Sequence, residues 1–453
     1  MRTITAWLAG VALATALFAG LSSSAEAEGP LENLVIQRHT LSNGLRVVLN
    51  PDPKVPTVAI AVYYDVGSRN EEQGRSGFAH LFEHMMFQGS ANVGKAEHFT
   101  LINSRGGSAN GTTSEDRTNY YETLPSNELH LGIWLEADRM RSLAITAENF
   151  ENQRQTVMEE RRQRIDNQPY VPAFLRIDEL VYGDFFPYAH SVIGDMEDLQ
   201  KAPLEAVQAF FDAYYAPNNA VISISGDFDP EEALALVEKE FGSIPSRPHP
   251  AYEPGEFTPR EGERRETMSD PNAPLPAILM AYPIPPMRTP DHYALEMLTL
   301  VLSDGESSRL HQLLVKKKEL AAQVVTYTDD RRGPDTFSIF AVAADGKDPR
   351  ELEAAIDAEI ASIAKKGVSA RELAKARNRL RAHFVHSLES PLGRAKQLAE
   401  HELYWGDATL LRTAIEPYLA VTNEDLKRVA AEYLRRDRRS VIEVRPAEKE
   451  TSR

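Results

Sequence analysis

The sequence predicts an α+β fold made of two homologous domains, each a β-sheet covered by helices, that face each other across a cleft. Three observations support this fold class. The 453 residues exceed the length of one small domain. Apolar strand-like segments alternate with polar helix-like segments, and strand-like strings of the first half recur in the second half. The composition, 42% hydrophobic and 26% charged, is typical of globular proteins and excludes long disordered chains and multi-span membrane proteins.

The first half contains the segments from which the predicted domain is built. Residues 47–49 and 57–64 are apolar and rich in β-branched side chains, as buried strands are. Residues 77–87 combine helix formers with apolar side chains, and residues 147–164 contain no Gly or Pro and are polar on one side, so both segments are predicted helices. Residues 220–225 predict a further strand.

A proline-rich segment and an internal repeat divide the chain. Prolines and polar residues crowd together in residues 245–259, which predicts an interdomain linker. The string that starts at Pro56 has a counterpart at Pro276, 220 positions later, and the one at Tyr214 has a counterpart at Tyr433, 219 positions later. Two matches at nearly one offset indicate a duplicated unit. The expected organisation is a signal peptide (1–27), an N-terminal domain (28–244), a linker (245–260), a degenerate C-terminal domain (261–447) and a tail (448–453).

The N-terminus has the regions of a secretory signal peptide. Arg2 gives a positive start, and residues 6–21 form an apolar run that is shorter than the roughly 20 residues of a membrane span. Ala25-Glu26-Ala27 fits a small-x-small cleavage site, with cleavage after Ala27 or Ala25. An uncleaved anchor or a buried helix is the alternative. We expect export across the inner membrane, most simply to a bacterial periplasm, with no membrane attachment after signal removal.

Net charge and the absence of cysteine exclude several function classes. A formal net charge of −17 repels the phosphate backbone of nucleic acids, so no nucleic-acid partner is expected. The chain contains no cysteine, which removes disulfides, thiolate metal sites and cysteine catalysis. Any metal ion must therefore be held by His, Asp or Glu side chains.

The string His80-Leu-Phe-Glu83-His84 carries the strongest chemical signal. On a helix, His80 and His84 share one face, so both imidazoles can reach one ion. Glu83 borders that face and can lie beside a metal-bound water without being a ligand. The string is the mirror order of the His-Glu-x-x-His zinc helix. A helix with two buried structural histidines is the alternative, but such groups need polar partners, and a metal ion supplies one.

Two segments leave alternatives open on pattern alone. Catalytic zinc takes three protein ligands and keeps one open position. Glu159 and Glu160, on the second predicted helix, are both available, but adjacent helical residues point about 100° apart, so only one can face the metal. Residues 106–113 are rich in turn and edge residues, and on pattern alone they are typical of a hairpin.

The motifs resemble the pitrilysin and insulinase zinc metallopeptidases, the inverzincins. These include the β subunit of mitochondrial processing peptidase and the zinc subunits of bacterial heterodimeric relatives. The string from His80 to His84, the string Gly106-Gly107-x-x-Asn110 and the acidic helix at Glu160 carry the resemblance. In this family the third ligand lies about 76 positions beyond the second histidine, which implies Glu160 rather than Glu159. The resemblance thus implies one Zn²⁺ per chain and a fold that forms half of a clam-shell chamber.

The resemblance also assigns roles outside the zinc ligands. The segment containing Asn110 matches an edge strand that pairs with the peptide substrate, so Asn110 is expected to contact substrate. The family usually has Ala at the position of Gly111. Gln153 stands where processing-peptidase β subunits carry Glu. Glutamine keeps the hydrogen-bonding shape but drops the charge, so it is expected to orient the metal site less firmly while leaving the three zinc ligands complete.

The function implied is that of a zinc-dependent metalloendopeptidase acting on peptides or unfolded polypeptides. In such an enzyme Glu83 would accept the proton of the water that attacks the peptide carbonyl, and the zinc ion would acidify that water. The alternative is a non-catalytic structural or partner subunit of a peptidase-like complex, although such subunits lose some of the zinc residues. A zinc-storage protein would need neither a base at Glu83 nor an edge segment at Asn110.

The second half predicts a partner. Around residues 293–297, where a zinc helix would repeat, histidines are missing, and His292 is expected to be a surface or capping residue. Several relatives supply an Arg and a Tyr from this half, but Val315 and Ala322 occupy those places here. We therefore expect pairing with a zinc-free homologous subunit, or alternatively a homodimer. His190 could line the cleft, although a structural role is favoured.

Overall fold

The computed structural model describes residue 31 and residues 34–447. The expected signal peptide, residues 1–27, and the expected tail, residues 448–453, lie outside this part of the chain. Among the described residues, none of the helices has the length and apolar character needed to cross a bilayer.

The first sheet has six strands and includes all three strand-like segments of the first half. Its strands follow the order β1-β2-β6-β3-β5-β4, and β2 and β6 are its parallel pair. Strand β3 is buried on both faces except at its first residue. The strands are β1 (Gln37–Thr40), β2 (Arg46–Pro51), β3 (Thr57–Tyr64), β4 (Ser108–Thr113), β5 (Thr118–Pro125) and β6 (Ala220–Gly226).

The second sheet repeats the arrangement of the first. Its strands are β7 (Arg264–Asp270), β8 (Ala277–Ile284), β9 (Ala321–Thr328), β10 (Asp335–Ala343) and β11 (Ser440–Pro446). The order β7-β11-β8-β10-β9, with β7 and β11 parallel, reproduces the order β2-β6-β3-β5-β4. Strands β8 and β11 begin 220 positions after β3 and β6. The predicted α+β fold of two homologous domains is confirmed.

Fifteen helices cover the two sheets within the described residues. The predicted helix at 147–164 begins after Thr146, whose hydroxyl caps it by accepting the Asn149 N–H at 3.1 Å. Its α-helical part ends at Arg161, and the chain continues as a π-helical turn over Arg162–Asp166. The helices of the first half are α1 (Phe78–Met85), α2 (Glu97–Ser104), α3 (Leu129–Ser142), α4 (Ala147–Arg161), α5 (Val171–Tyr182), α6 (Phe186–Ala189), α7 (Met196–Lys201), α8 (Leu204–Tyr214) and α9 (Pro230–Phe241). Those of the second half are α10 (Pro290–Ser303), α11 (Pro349–Lys366), α12 (Ala370–Ser387), α13 (Pro391–Trp405), α14 (Glu416–Ala420) and α15 (Asn423–Tyr433).

One helix of each half packs on the sheet of the other half. Helix α5 buries Ile177 in a hydrophobic cluster with Leu279 and Ile442 of the second sheet. Helix α13, which begins 220 positions after α5, packs on the first sheet, where the Arg394 guanidinium donates to Asn50 Oδ1 at 2.9 Å. Between the halves lies a cavity of about 480 Å³ that is lined from both. The packing of these two helices joins the two sheets into one unit around this cavity.

Candidate zinc site

Helix α1 presents two histidines on one face. Its apolar side chains, Leu81, Phe82 and Met85 among them, are buried in the hydrophobic core of the first domain. The opposite face therefore turns His80 and His84 toward a cavity, with their ring centroids 4.8 Å apart. The spacing between His80 and His84 in the sequence places both side chains on the same face of the helix.

Helix α4 brings a carboxylate to the two rings. Glu160 Oε2 lies 3.1 Å from His84 Nε2 and 3.7 Å from His80 Nε2. The neighbouring Glu159 also lines the cavity, but it is exposed and accepts hydrogen bonds from Arg162 and Gln163 rather than contacting the histidines. The structure thus brings His80, His84 and Glu160 together, and it leaves Glu159 on the exposed side of the helix.

The donor set and its ionisation fit a zinc ion. Two imidazoles and one carboxylate are a ligand set of catalytic zinc. Burial, together with the neighbouring His84, lowers the pKa of His80 to about 4, so the ring is neutral and able to bind metal at pH 7. A hydrogen bond from His84 lowers the pKa of Glu160, which keeps it a carboxylate. The Nδ1 atom of His80 is buried and has no hydrogen-bond partner among the described residues.

Glu83 lies on the cavity wall beside the two histidines. Burial raises the pKa of Glu83, and the hydroxyl of Thr113, which donates to Glu83 Oε2 at 2.6 Å, opposes that rise. A Cβ added to Gly111 would lie 3.1 Å from Cγ of Glu83 and 3.1 Å from the Tyr120 ring. Glycine at position 111, in place of the family's usual alanine, therefore leaves room for the Glu83 side chain. The contact with Thr113 was not expected from the sequence.

The strand beside the site has an unpaired edge. Residues 106–113 do form part of a hairpin, because β4 pairs with β5 and Asn110 lies opposite Tyr121. Among the described strands, β5 is the one partner of β4, so the other edge of β4 is free. Asn110 is exposed, lines the cavity, and accepts the N–H of Gly111 through its own side chain at 2.9 Å.

Gln153 lies on α4 and lines the same cavity, and its side chain is largely buried. Its amide donates to Asn152 Oδ1 at 2.8 Å. Within the described residues it makes no hydrogen bond to His80, His84 or Glu160. Its expected influence on a zinc ligand therefore remains a prediction.

The cavity itself has a volume of about 1250 Å³ and is acidic. Glu83, Glu115, Glu160 and Asp178 line it, among others, whereas Arg164 is its one arginine among the described residues. His190 also lines this cavity, and at the same time its Nε2 atom lies 3.0 Å from the buried carboxylate of Glu71. The sequence pattern did not single out Glu71. The available signal was that α1 begins at Gly77, which has no side chain to cap the helix.

The counterpart of α1 in the second domain is α10, and it contains no zinc-ligand pair. His292 is 1% exposed, and its Nε2 atom lies 2.8 Å from Asp335 Oδ2. The expectation of a surface residue is wrong, because the β9–β10 hairpin places a buried carboxylate against the ring. The cap of this helix is Thr289, whose hydroxyl accepts the His292 backbone N–H at 3.4 Å.

Comparison with known proteins agrees with the fold and shows the family. The insulinase (peptidase family M16) model matches residues 46–181, and the peptidase M16 inactive-domain model matches residues 201–380. The chain is 32% identical to the zinc protease PqqE of Helicobacter pylori, over 90% of this chain and 92% of that protein. The chain therefore belongs to the insulinase family, the M16 peptidases.

Two solved structures share the fold. The crystal structure of a protease from Helicobacter pylori matches with a TM-score of 0.86 and 30% identity, covering 91% of this chain and 100% of that chain. The periplasmic protease PqqL from Escherichia coli matches with a TM-score of 0.75 and 18% identity, and here the match covers 91% of this chain but only 48% of that chain. The fold of the present chain thus corresponds to about half of PqqL.

Proposed function

We propose that this protein is a zinc-dependent metalloendopeptidase that hydrolyses peptides or unfolded polypeptides. The observation that carries the proposal is the convergence of His80, His84 and Glu160 in one cavity, with Glu83 beside them. The resemblance of the chain to proteins named zinc proteases supports the same reaction class.

The roles of the residues follow from their surroundings. His80, His84 and Glu160 would hold the zinc ion. Zinc bound there supplies Lewis-acid chemistry, which polarises a peptide carbonyl and acidifies a water molecule. Glu83 accepts the proton of the attacking water and delivers it to the leaving amine, and the raised pKa of this carboxyl makes it a better base than an exposed glutamate. Thr113 holds one oxygen of Glu83 in place.

Substrate binding is assigned to the free edge of β4. An extended peptide can add to this edge by main-chain hydrogen bonds, with Asn110 beside it. The cavity volume of about 1250 Å³ is above the roughly 300–1,000 Å³ of small-molecule sites. Both features favour an extended polypeptide over a small molecule as the substrate.

Removal of the metal and of the base tests the proposal. Incubation with a chelator is expected to abolish cleavage of a peptide library, and added zinc should restore it. Glu83→Gln should retain bound zinc but lose about 10³-fold or more in kcat, because it removes the proton acceptor. Glu159→Gln, which changes an exposed neighbour, is the matched control and should behave as wild type. Full activity of Glu83→Gln would refute the assigned base.

A non-catalytic subunit is the second candidate. It is favoured by the match of residues 201–380 to a domain described as inactive. That segment contains none of the zinc-site residues, whereas residues 46–181, which match the insulinase model, contain all four of them. If the chain is a non-catalytic subunit, Glu83→Gln will leave the activity of a complex that contains it unchanged, whereas a chelator can still inhibit that complex through its partner.

A partner subunit and a periplasmic location belong to the same proposal. The fold of this chain matches 48% of PqqL. A second chain of similar size would supply a counterpart of the rest of PqqL, which contains both parts in a single chain. A zinc-free homologue is the preferred partner, because Val315 and Ala322 offer no hydrogen-bonding side chain to substrate. A homodimer is the alternative. Export to the periplasm is supported by the sequence of residues 1–27.

A further inference from the structure

Helix α1 begins without a capping side chain of its own. Its N-cap is Gly77, which has φ 88 in the left-handed region. The first N–H groups of a helix need acceptors from outside it. Glu71 provides two such acceptors. Its Oε2 accepts the Gly77 N–H and its Oε1 accepts the Ala79 N–H, each at 2.8 Å. The first turn, which contains the ligand His80, is thus held by a carboxylate from the preceding loop.

His190 pairs with that carboxylate. The Glu71 side chain is 0% exposed, and His190 Nε2 lies 3.0 Å from it. The other ring nitrogen, Nδ1, lies 2.7 Å from the carbonyl oxygen of Phe186, so both nitrogens face acceptors, as in an imidazolium. Burial alone would lower the pKa of His190, but the Glu71 carboxylate, together with backbone acceptors such as the Phe186 carbonyl, raises it. The ring also stacks on Phe186, with centroids 4.1 Å apart.

The segment that follows His190 also contacts α4, which carries the third zinc ligand. Gly194 lies against Gly77: a Cβ added to Gly194 would come within 2.4 Å of the Gly77 Cα. Arg161, next to Glu160, donates from its guanidinium to the carbonyl of Gly194. One short segment therefore touches both the beginning of α1 and the end of α4.

We propose that Glu71 and His190 are positioning residues that fix α1, with His80 and His84, at the separation from Glu160 that metal binding requires. The inference rests on the zinc site of the proposed function, but it does not require that the protein cleave peptides. Both nitrogens of His190 and both oxygens of Glu71 are engaged within the protein. Neither residue is therefore assigned a contact with the reacting atoms.

The test measures the metal directly. Glu71→Gln and His190→Gln are compared with Glu72→Gln, an exposed neighbour of Glu71, in the full mature chain. We expect Glu71→Gln to weaken zinc retention against a chelator by about 10- to 100-fold. It should also alter the visible spectrum of the cobalt-substituted protein and lower kcat with little change in KM, because β4 is untouched. Glu72→Gln should match wild type in all three measurements.

A conservative replacement separates positioning from general stability. His190→Gln keeps an N–H donor toward Glu71, so it should retain more zinc than His190→Leu. If Glu71→Gln fails to fold, the comparison of these two His190 variants tests the inference in its place. Unchanged zinc retention and an unchanged cobalt spectrum in Glu71→Gln, or equal zinc loss in the two His190 variants, would overturn the inference. A wild type that binds zinc but cleaves nothing would contradict the proposed function alone, because the zinc and cobalt measurements do not depend on cleavage.

Discussion

At the scale of single residues, the two adjacent carboxylates at the end of α4 differ in what they contact. Glu160 lies 3.1 Å from His84, whereas Glu159 is bonded to the exposed Arg162 and Gln163. We therefore expect Glu160→Ala to lose both bound zinc and peptide cleavage, and Glu159→Ala to keep both. Metal analysis of the purified variants checks this. Retention of a full complement of zinc by Glu160→Ala would exclude that residue as a ligand.

The sequence alone leads to some residues of the site and not to others. His80, Glu83 and His84 are predictable because a single helix sets their relation. Glu160 cannot be separated from Glu159 by pattern, because the rotation of α4 about its axis depends on packing against α1. Thr113 and Glu71 reach the site through a strand pairing and a loop, so nothing local in the sequence identifies them.

At the scale of elements, the free edge of β4 makes a prediction about the substrate backbone. Along a peptide that pairs with an antiparallel strand, the N–H groups point alternately toward the edge and away from it. N-methylation of a cleaved peptide at successive positions should therefore raise KM at alternate positions. The same methyl groups at the intervening positions serve as controls. A KM that is insensitive to methylation at every position would contradict pairing with β4.

The elements themselves were predictable to different degrees. The strands over 57–64 and 220–225 are rich in apolar and β-branched residues, because both faces of each strand are covered. The predicted helix over 147–164 is interrupted at Arg161 by a π-helical turn, for which side-chain periodicity gives no signal. That α5 packs on the second sheet and α13 on the first could not be inferred, because an apolar helix face does not specify which sheet it covers.

At the scale of the whole molecule, the proposed partner makes a prediction about activity. We expect the isolated chain to cleave peptides slowly and a zinc-free homologue of similar size to raise kcat/KM by about tenfold or more. Native mass spectrometry should show the two chains together. Glu83→Gln in this chain is the control, because it should silence the mixture if this chain contains the active site. Full activity of the isolated monomer would contradict pairing.

The central claim is that two histidines of α1 and one glutamate of α4 hold a single zinc ion. Anomalous diffraction at the zinc edge, from crystals of the zinc-loaded protein, tests it most directly. We expect one strong peak at about 2.0–2.2 Å from His80 Nε2, His84 Nε2 and an oxygen of Glu160. A peak elsewhere, or a zinc ion at these histidines without Glu160, would contradict it.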